Sequence, residues 1–517
     1  VSPITLFALV ALLACAWPAL RLSANPAFRQ VAPGQWSAMA ALGLLAGGGA
    51  VGLAVLEPDW LLIVTVGVVL LVGASAWRSR PGFGSRRGLP PGSLSPWESI
   101  EALVDRDFYT RRASRHGPIF KMSQFHRGVI CVVGLERGHR LLREHRERLG
   151  PSVLPFNREV DGGFLRYMDD STHRKYAPLF RACLSPAVVG ASESMSRTVA
   201  RQELENMAAA SALGRSRGRD HAVACEPYLR RLVSKSFLSV LFGVQPGSES
   251  AARFERIYPP FGEHPLGSSL GEDALEALAG LRRWVMLEAE SQRIHAERQV
   301  SPSALGELIR LNERMPDQTS VDNLLFIHKI SSDNVVALLR WLLKILGDHP
   351  EWVDRLRAEL GTESKLSDRV VLEVLRLAQS EYLYREVVEE IVFDGFTMPR
   401  KWLVRLCVRE SHADPEVYCD PDAFDPDRFL NQRFDNHRYS PFGFSPHACN
   451  GVDLTMMIAR SWVESLCGDF DWSIARDGPV ERGFRHWNHW RPSRSLAISL
   501  RPRFDSESRP DLEEARA

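Results

Sequence analysis

No two of the eight cysteines stand as a Cys-x-x-Cys pair. They lie scattered at Cys15, Cys131, Cys183, Cys225, Cys407, Cys419, Cys449 and Cys467. A zinc ribbon or a redox dithiol therefore has no support. So few cysteines in 517 residues do not make a disulfide framework either. Seven of the eight read as small buried hydrophobes; Cys449 is the exception, because of the loop that carries it. Charge of neither sign prevails: Lys+Arg is 64, Asp+Glu is 63, and the formal net charge is +1. Without a basic excess, nucleic acid is not an expected partner. No internal repeat is visible. The length allows one large domain or two to three ordinary ones.

Acidic and basic residues are also missing from three long stretches at the start of the chain. These are 2–20, 36–56 and 60–77, and none holds an Asp, Glu, Lys or Arg. Each is about as long as a helix needs to cross a hydrocarbon core of roughly 30 Å. Trp36, Trp60 and Trp77 sit at stretch ends, where amphipathic rings favour the membrane interface. Arg21 and Arg29 follow the first stretch, Glu57 and Asp59 separate the second from the third, and Arg78, Arg80, Arg86 and Arg87 follow the third. The positive-inside rule then places the N-terminus outside and everything after Arg78 on the cytoplasmic side. A cleaved signal peptide would want a basic start, and no Lys or Arg precedes Arg21. Residues 1–80 thus read as a multi-pass transmembrane region. The triplet Gly47-Gly48-Gly49 makes the second span the weakest.

Residues 81–94 are punctuated by Pro81, Gly82, Gly84, Gly88, Pro90, Pro91 and Gly92, which break helices and strands alike. They read as a linker to a domain over 95–504, with a polar tail at 505–517. Within the domain, Ile119–Met122 and Val129–Val133 flank a polar turn and predict a β-hairpin. Helical spacing begins after Gly134 and returns over Pro227–Val244 and Asp273–Ala296. The clearest helix runs from Val321 to Leu346, apolar nearly all round as a central buried element should be. Pro350 opens another. Short strands are expected near Ile391–Phe393 and Leu403–Val408. The fold class is mainly α with a minor β-sheet.

The most informative segment is Pro441-Phe442-Gly443-Phe444-Ser445-Pro446-His447-Ala448-Cys449-Asn450-Gly451, continued by an amphipathic run from Val452 to Leu466. Cys449 thus lies on a Gly- and Pro-rich loop feeding a helix N-terminus, where unpaired N–H groups and the helix dipole favour a thiolate. The segment resembles the cytochrome P450 signature Phe-x-x-Gly-x-Arg/His-x-Cys-x-Gly. Phe442, His447, Cys449 and Gly451 fit; Ser445 departs where the family usually has glycine. Two further segments match in order. Glu373-Val374-Leu375-Arg376 resembles the family's Glu-x-x-Arg helix, and Pro421–Phe429 resembles the segment that supplies a second arginine, here Arg428.

The resemblance covers roughly Leu89 to Phe504. It implies the cytochrome P450 fold and haem b, held by Cys449 as axial thiolate; such a ligand pushes electron density onto iron and favours O–O cleavage. Phe442 would shield the sulfur, Gly443 and Gly451 would let backbone approach the macrocycle, and His447 could reach a propionate. His173 resembles a second propionate ligand. The family's arginine four residues on is absent, and Arg174 or Lys175 could substitute. Glu373, Arg376 and Arg428 would form a buried charge cluster behind the haem. Over the iron would lie Ile330–Val335, with Asp333 as proton relay and Asn334 where the family usually has an alcohol.

The implied activity is a monooxygenase inserting one atom of O2 into a lipophilic substrate that enters from the membrane. Electrons would come from a separate ferredoxin or reductase docking near exposed arginines such as Arg433 and Arg438. Asn334 keeps a second reading open, an enzyme that uses hydroperoxides. A third is a haem-binding protein without turnover.

Overall fold

The structure is a computed structural model. It describes residues 88–503, apart from short segments at 95–97, 99–100, 103–104, 125–126, 153, 217–221, 266–268, 295–301, 314, 380, 431, 445–446 and 483–488. The three apolar stretches, residues 81–87 of the linker, Ser445 and the tail lie outside the described residues. Among the described residues no helix is long and apolar enough to cross a membrane.

The N-terminal part carries α1 (Phe108–His116), then the expected hairpin as β1 (Ile119–Gln124) and β2 (Arg127–Val133), then α2 (Leu135–Glu144) and β3 (Leu149–Pro151). The hairpin extends two residues beyond the apolar core of each strand, with Gln124 opposite Arg127. Helices dominate the middle of the chain: α3 (Asp170–Cys183), α4 (Glu193–Ser216), α5 (Glu226–Phe242), α6 (Glu249–Ile257), α7 (Glu272–Ile294), α8 (Ala304–Asn312) and α9 (Gln318–Asp348). Four of their starts are capped by a side chain, Ser248 and Ser303 doing so for α6 and α8. Asp169 caps α3 by accepting the Ser171 and Thr172 N–H groups, and Asp317 caps α9 by accepting that of Ser320 at 2.9 Å.

Pro350 opens α10 (Pro350–Glu359), and α11 (Leu366–Ala378) carries Glu373 and Arg376. Then come β4 (Tyr382–Val387), β5 (Ile391–Phe393), β6 (Phe396–Met398) and β7 (Leu403–Cys407). After the cysteine loop, α12 (Val452–Asp469) leads into β8 (Phe470–Arg476) and β9 (Ala497–Pro502). The main sheet has the order β1-β2-β7-β4-β3, with β2 parallel to β7 and the other pairs antiparallel.

Helix α9 runs through the largest apolar cluster and touches α5, α7, α11 and α12. Its side chains are buried on every face from Val321 to Ile327 and again from Val335 to Leu343. Between those runs, Ile330, Ser331 and Asn334 face a cavity. The helix is thus packed on all sides except where the site opens.

Residues 88–94 of the expected linker belong to the fold. The Thr397 N–H donates to the Gly88 carbonyl at 2.7 Å, and the Lys121 N–H to that of Pro91 at 2.8 Å. A Cβ on Gly92 would overlap the Lys121 carbonyl, so only glycine permits this approach. The apolar-cysteine expectation holds for Cys131, Cys183, Cys225, Cys407 and Cys467, which are buried, but Cys419 is exposed.

Candidate active site

The cysteine loop enters α12 as expected, with Gly451 at the cap position and Val452 as first helical residue. Gly443 turns the loop at φ 80, a conformation that suits glycine. The Cys449 N–H donates to the Phe442 carbonyl at 2.8 Å and closes the turn. The Cys449 sulfur in turn accepts the Gly451 N–H at 3.3 Å. Cys449 is open to a cavity on one side and enclosed by protein on the others. That burial pushes the free thiol up; the Gly451 N–H and Arg166 pull the other way. The expected lowering by the helix terminus is therefore outweighed in the protein alone. A cation bound at the sulfur would reverse the balance.

Behind the loop, Glu373, Arg376 and Arg428 meet as the spacing suggested. Arg376 Nε and Nη2 donate to the two Glu373 oxygens, each at 2.8 Å, and Arg428 Nε donates to Glu373 Oε1 at 3.1 Å. The Asp425 N–H adds a fourth donor at 3.1 Å. Glu373 is 0% and Arg376 1% exposed, so this is a fully desolvated cluster. A chain of bonds ties it to the loop. Arg376 Nη1 donates to the His412 carbonyl at 2.8 Å, His412 Nε2 accepts the Ser440 N–H at 3.0 Å, and Ser440 Oγ donates to the Gly443 carbonyl at 2.9 Å. The cluster holds the thiol by bracing the turn that carries it.

The cavity above Cys449 encloses about 1420 Å³ of empty space, its mouth included. Phe442, Gly443, His447, Gly451, His173 and Asn334 all line it. The His173 and His447 rings lie 4.0 Å apart. Burial, His173 and Arg385 push the His447 pKa down to about 4. Arg174 and Lys175 are exposed and outside the lining, whereas Arg166 lies in it. Arg385, buried on β4, is a further cation close to His447. Sequence reasoning missed both arginines, because nothing local marks them. Asp333 is a correction of another kind. It does not line the cavity; its carboxylate accepts Arg230 Nη1 at 2.8 Å, and Arg230 Nη2 also pairs with Glu226 at 2.7 Å. Asn334 lines the cavity beside Ser331, while its backbone carbonyl accepts Gln379 Nε2 at 2.7 Å.

The donor set suits a flat iron macrocycle with acidic arms. The thiol of Cys449 lines the cavity, with apolar side chains such as Leu165, Ile330, Val335 and Leu454, with Arg166, and with His173 and His447, whose rings lie against each other. His447 Nδ1 is buried without a partner among the described residues, as a group awaiting an acceptor would be.

A family model described as Cytochrome P450 matches residues 318–496, the span from α9 past the cysteine loop. The chain is also 26% identical over 366 residues to putative cytochrome P450 120 of Synechocystis, covering 65% of this chain and 79% of that protein. It is 22% identical over 452 residues to abscisic acid 8'-hydroxylase 2 of Arabidopsis thaliana, covering 81% of this chain and 90% of that one. The chain belongs to the cytochrome P450 family. A solved structure, retinoic acid-bound cyanobacterial CYP120A1, superposes with a TM-score of 0.64 over 80% of this chain and 99% of its own, at 22% identity, which bears on the fold alone. Like the family, this P450 is an oxidoreductase of the haem-thiolate monooxygenase class, and its cofactor is haem held by a cysteine thiolate. The mainly helical fold with a minor sheet is the P450 fold.

Proposed function

We propose that this P450 inserts one oxygen atom from O2 into an apolar organic acid, with Cys449 as the residue that would hold the haem iron and electrons from a separate protein. One observation carries the assignment. Cys449 is the cysteine whose sulfur faces the large cavity, from a loop braced by the Glu373 cluster. When bound, haem with a thiolate ligand supplies the activation of dioxygen. The chain's own residues do the rest. The Gly451 N–H steadies the sulfur's charge, and Arg166, His173 and His447 would hold the carboxylates of the macrocycle. Ser331 and Asn334 offer hydrogen bonds at the reacting face. The apolar wall excludes water. The substrate class draws on a relative whose name refers to abscisic acid.

The protein is further proposed to be held at a membrane by residues 1–80, with the haem domain on the cytoplasmic side and its substrate drawn from the bilayer. The three uncharged stretches support this. A separate electron donor is proposed to dock near the exposed Arg433 and Arg438.

The test is the reduced carbon monoxide difference spectrum of wild-type protein and of Cys449→Ala. The wild type is expected to give the red-shifted Soret band of a thiolate complex, and the variant to lose it together with turnover. An unaltered spectrum and unaltered turnover in the variant would sink the assignment. Asn334 favours a second reading: it offers an amide, not a hydroxyl, to the reacting face, and an amide relays protons poorly. Conversion of a lipid hydroperoxide without reductase and NAD(P)H, alongside none with them, would replace O2 chemistry by hydroperoxide chemistry. Haem binding with no turnover under either condition would leave a non-catalytic haem protein.

A further inference from the structure

The segment after α11 gives the cavity Gln379, Tyr382 and Leu383, and His489, the residue just before the short strand Trp490–Arg491, joins them. Its Nδ1 accepts the Glu381 backbone N–H at 3.2 Å, and its ring lies against Tyr382 with centroids 5.0 Å apart. In neutral imidazole an accepting nitrogen carries no proton, so the proton sits on Nε2 and makes that atom a donor. Burial keeps the ring neutral, with its pKa pushed down to about 4. Glu381 fixes the arrangement twice. Its N–H orients the ring, and its buried carboxylate accepts the neighbouring Trp490 N–H and lies 3.6 Å from Arg482.

The charges facing His489 are unbalanced. Glu381 is the one acid; Arg482 and Arg405 stand against it, besides Arg166, which is given to the macrocycle. Arg405 is buried between the rings of Tyr109 and Tyr382, with Nε and Nη2 unbonded among the described residues. The described lining contains no Asp or Glu. A fixed donor in a positive region of an otherwise apolar wall favours an anionic oxygen.

We propose that His489 is a specificity-determining residue that takes the carboxylate end of an apolar acid through its Nε2–H. This rests on the monooxygenase reading of the cavity and adds an address for the acid group. Apolar contacts are non-directional, so a tail held by them alone can slide along the wall. A carboxylate pinned at His489 fixes the register, so the carbon presented for oxidation is set by its distance from the acid group.

The experiment uses the full-chain holoprotein in detergent, with palmitic acid and methyl palmitate as paired probes and the Soret shift as readout. Wild type is expected to bind the acid at least about 10-fold more tightly than the ester. His489→Phe is expected to weaken acid binding by about 10- to 100-fold, as loss of a charge-assisted hydrogen bond implies, and to leave the ester within about twofold. His489→Gln, whose amide can donate, should recover part of the loss. Equal binding of acid and ester by wild type, binding of neither, or an unchanged acid affinity in His489→Phe overturns the proposal. The wild-type ratio decides even if His489→Phe fails to take up haem. If the carbon monoxide complex keeps its thiolate band in those cases, the monooxygenase reading stands; absence of that band in wild type would sink the reading itself.

Discussion

His328 is an imidazole with nothing to bond. It is 1% exposed on α9, caged by Phe237, Phe242, Phe254 and Tyr258, and neither ring nitrogen has a partner among the described residues. Burial alone pushes its pKa down to about 3 from the ordinary 6.5. Proton uptake by the two states then sets the pH dependence. As pH falls through 6.5 the unfolded chain takes up a proton, while the folded chain takes up none until about 3. The stability associated with the neutral ring is full above 6.5 and is lost progressively between 6.5 and 3. At pH 5 the loss is about 2 kcal/mol relative to pH 8. Replacing His328 by Leu, close in volume, should remove that one-proton dependence. Urea midpoints at pH 8, 6 and 5 would then fall less steeply in His328→Leu than in wild type. Parallel slopes would mean that the ring is solvated or paired after all. His412, also fully buried and pushed down to about 3, keeps its acid sensitivity in both proteins, so the variant is expected to flatten the curve and not to level it.

Glu373 sits at the centre of the union of α11 with the one-turn helix Pro426–Phe429, and Arg369 adds a longer contact to Asp427 at 3.5 Å. Glu373 receives two arginines and a backbone N–H with no solvent access. Such a cluster adds little net stability while whole, but removing one partner strands a buried charge at a cost of about 3–5 kcal/mol. Glu373→Ala and Arg428→Ala are therefore expected to lower the thermal midpoint and to release haem more readily, since His412 and Ser440 carry the strain to the cysteine turn. Removing the exposed Arg293 of the Glu290 pair should change neither, and an equal null result at Glu373 would remove the bracing role. The helices on either side were legible in the sequence because periodicity and caps are local: α9, α10, α11 and α12 lie where Val321–Leu346, Pro350, Glu373–Arg376 and Val452–Leu466 pointed. The strands were legible only where a turn joins partners, as in the β1–β2 hairpin. Strand β4 alternates half-buried and buried residues from Tyr382 to Val387, yet its partners are β7 and the distant β3. Strands β8 and β9 pair across more than twenty residues. The site divides the same way. Cys449, His447, Phe442 and Gly451 share one readable segment. Arg166, Arg385 and His489 come from three others and are joined to it only by the fold.

At the scale of the whole chain, the folded unit captures the backbone at Gly88. The carbonyl of that residue is bonded to β6, and Pro91 and Gly92 lie on β1. The third uncharged stretch ends at Trp77. Ten residues separate Trp77 from Gly88, and an extended chain covers at most roughly 35 Å over that span. If residues 1–80 span a bilayer, the β5–β6 edge of the haem domain must stay within that distance of its surface. The anchor then acts by local concentration, since an apolar acid dissolved in the bilayer is held near the cavity at no cost in binding contacts. Deleting residues 1–80 should move the protein from the membrane pellet to the supernatant while leaving its carbon monoxide spectrum intact, because the cavity lining and the cluster that braces Cys449 come from Phe164 and later residues. For an acid presented in lipid vesicles, kcat/KM should fall by about tenfold or more through KM. For the same acid presented in detergent micelles, truncated and full-length proteins should match. Equal kcat/KM in vesicles would show that substrate reaches the cavity from water and that the anchor plays no part in its delivery. A truncated protein that stayed in the pellet would place the membrane contact on the haem domain itself.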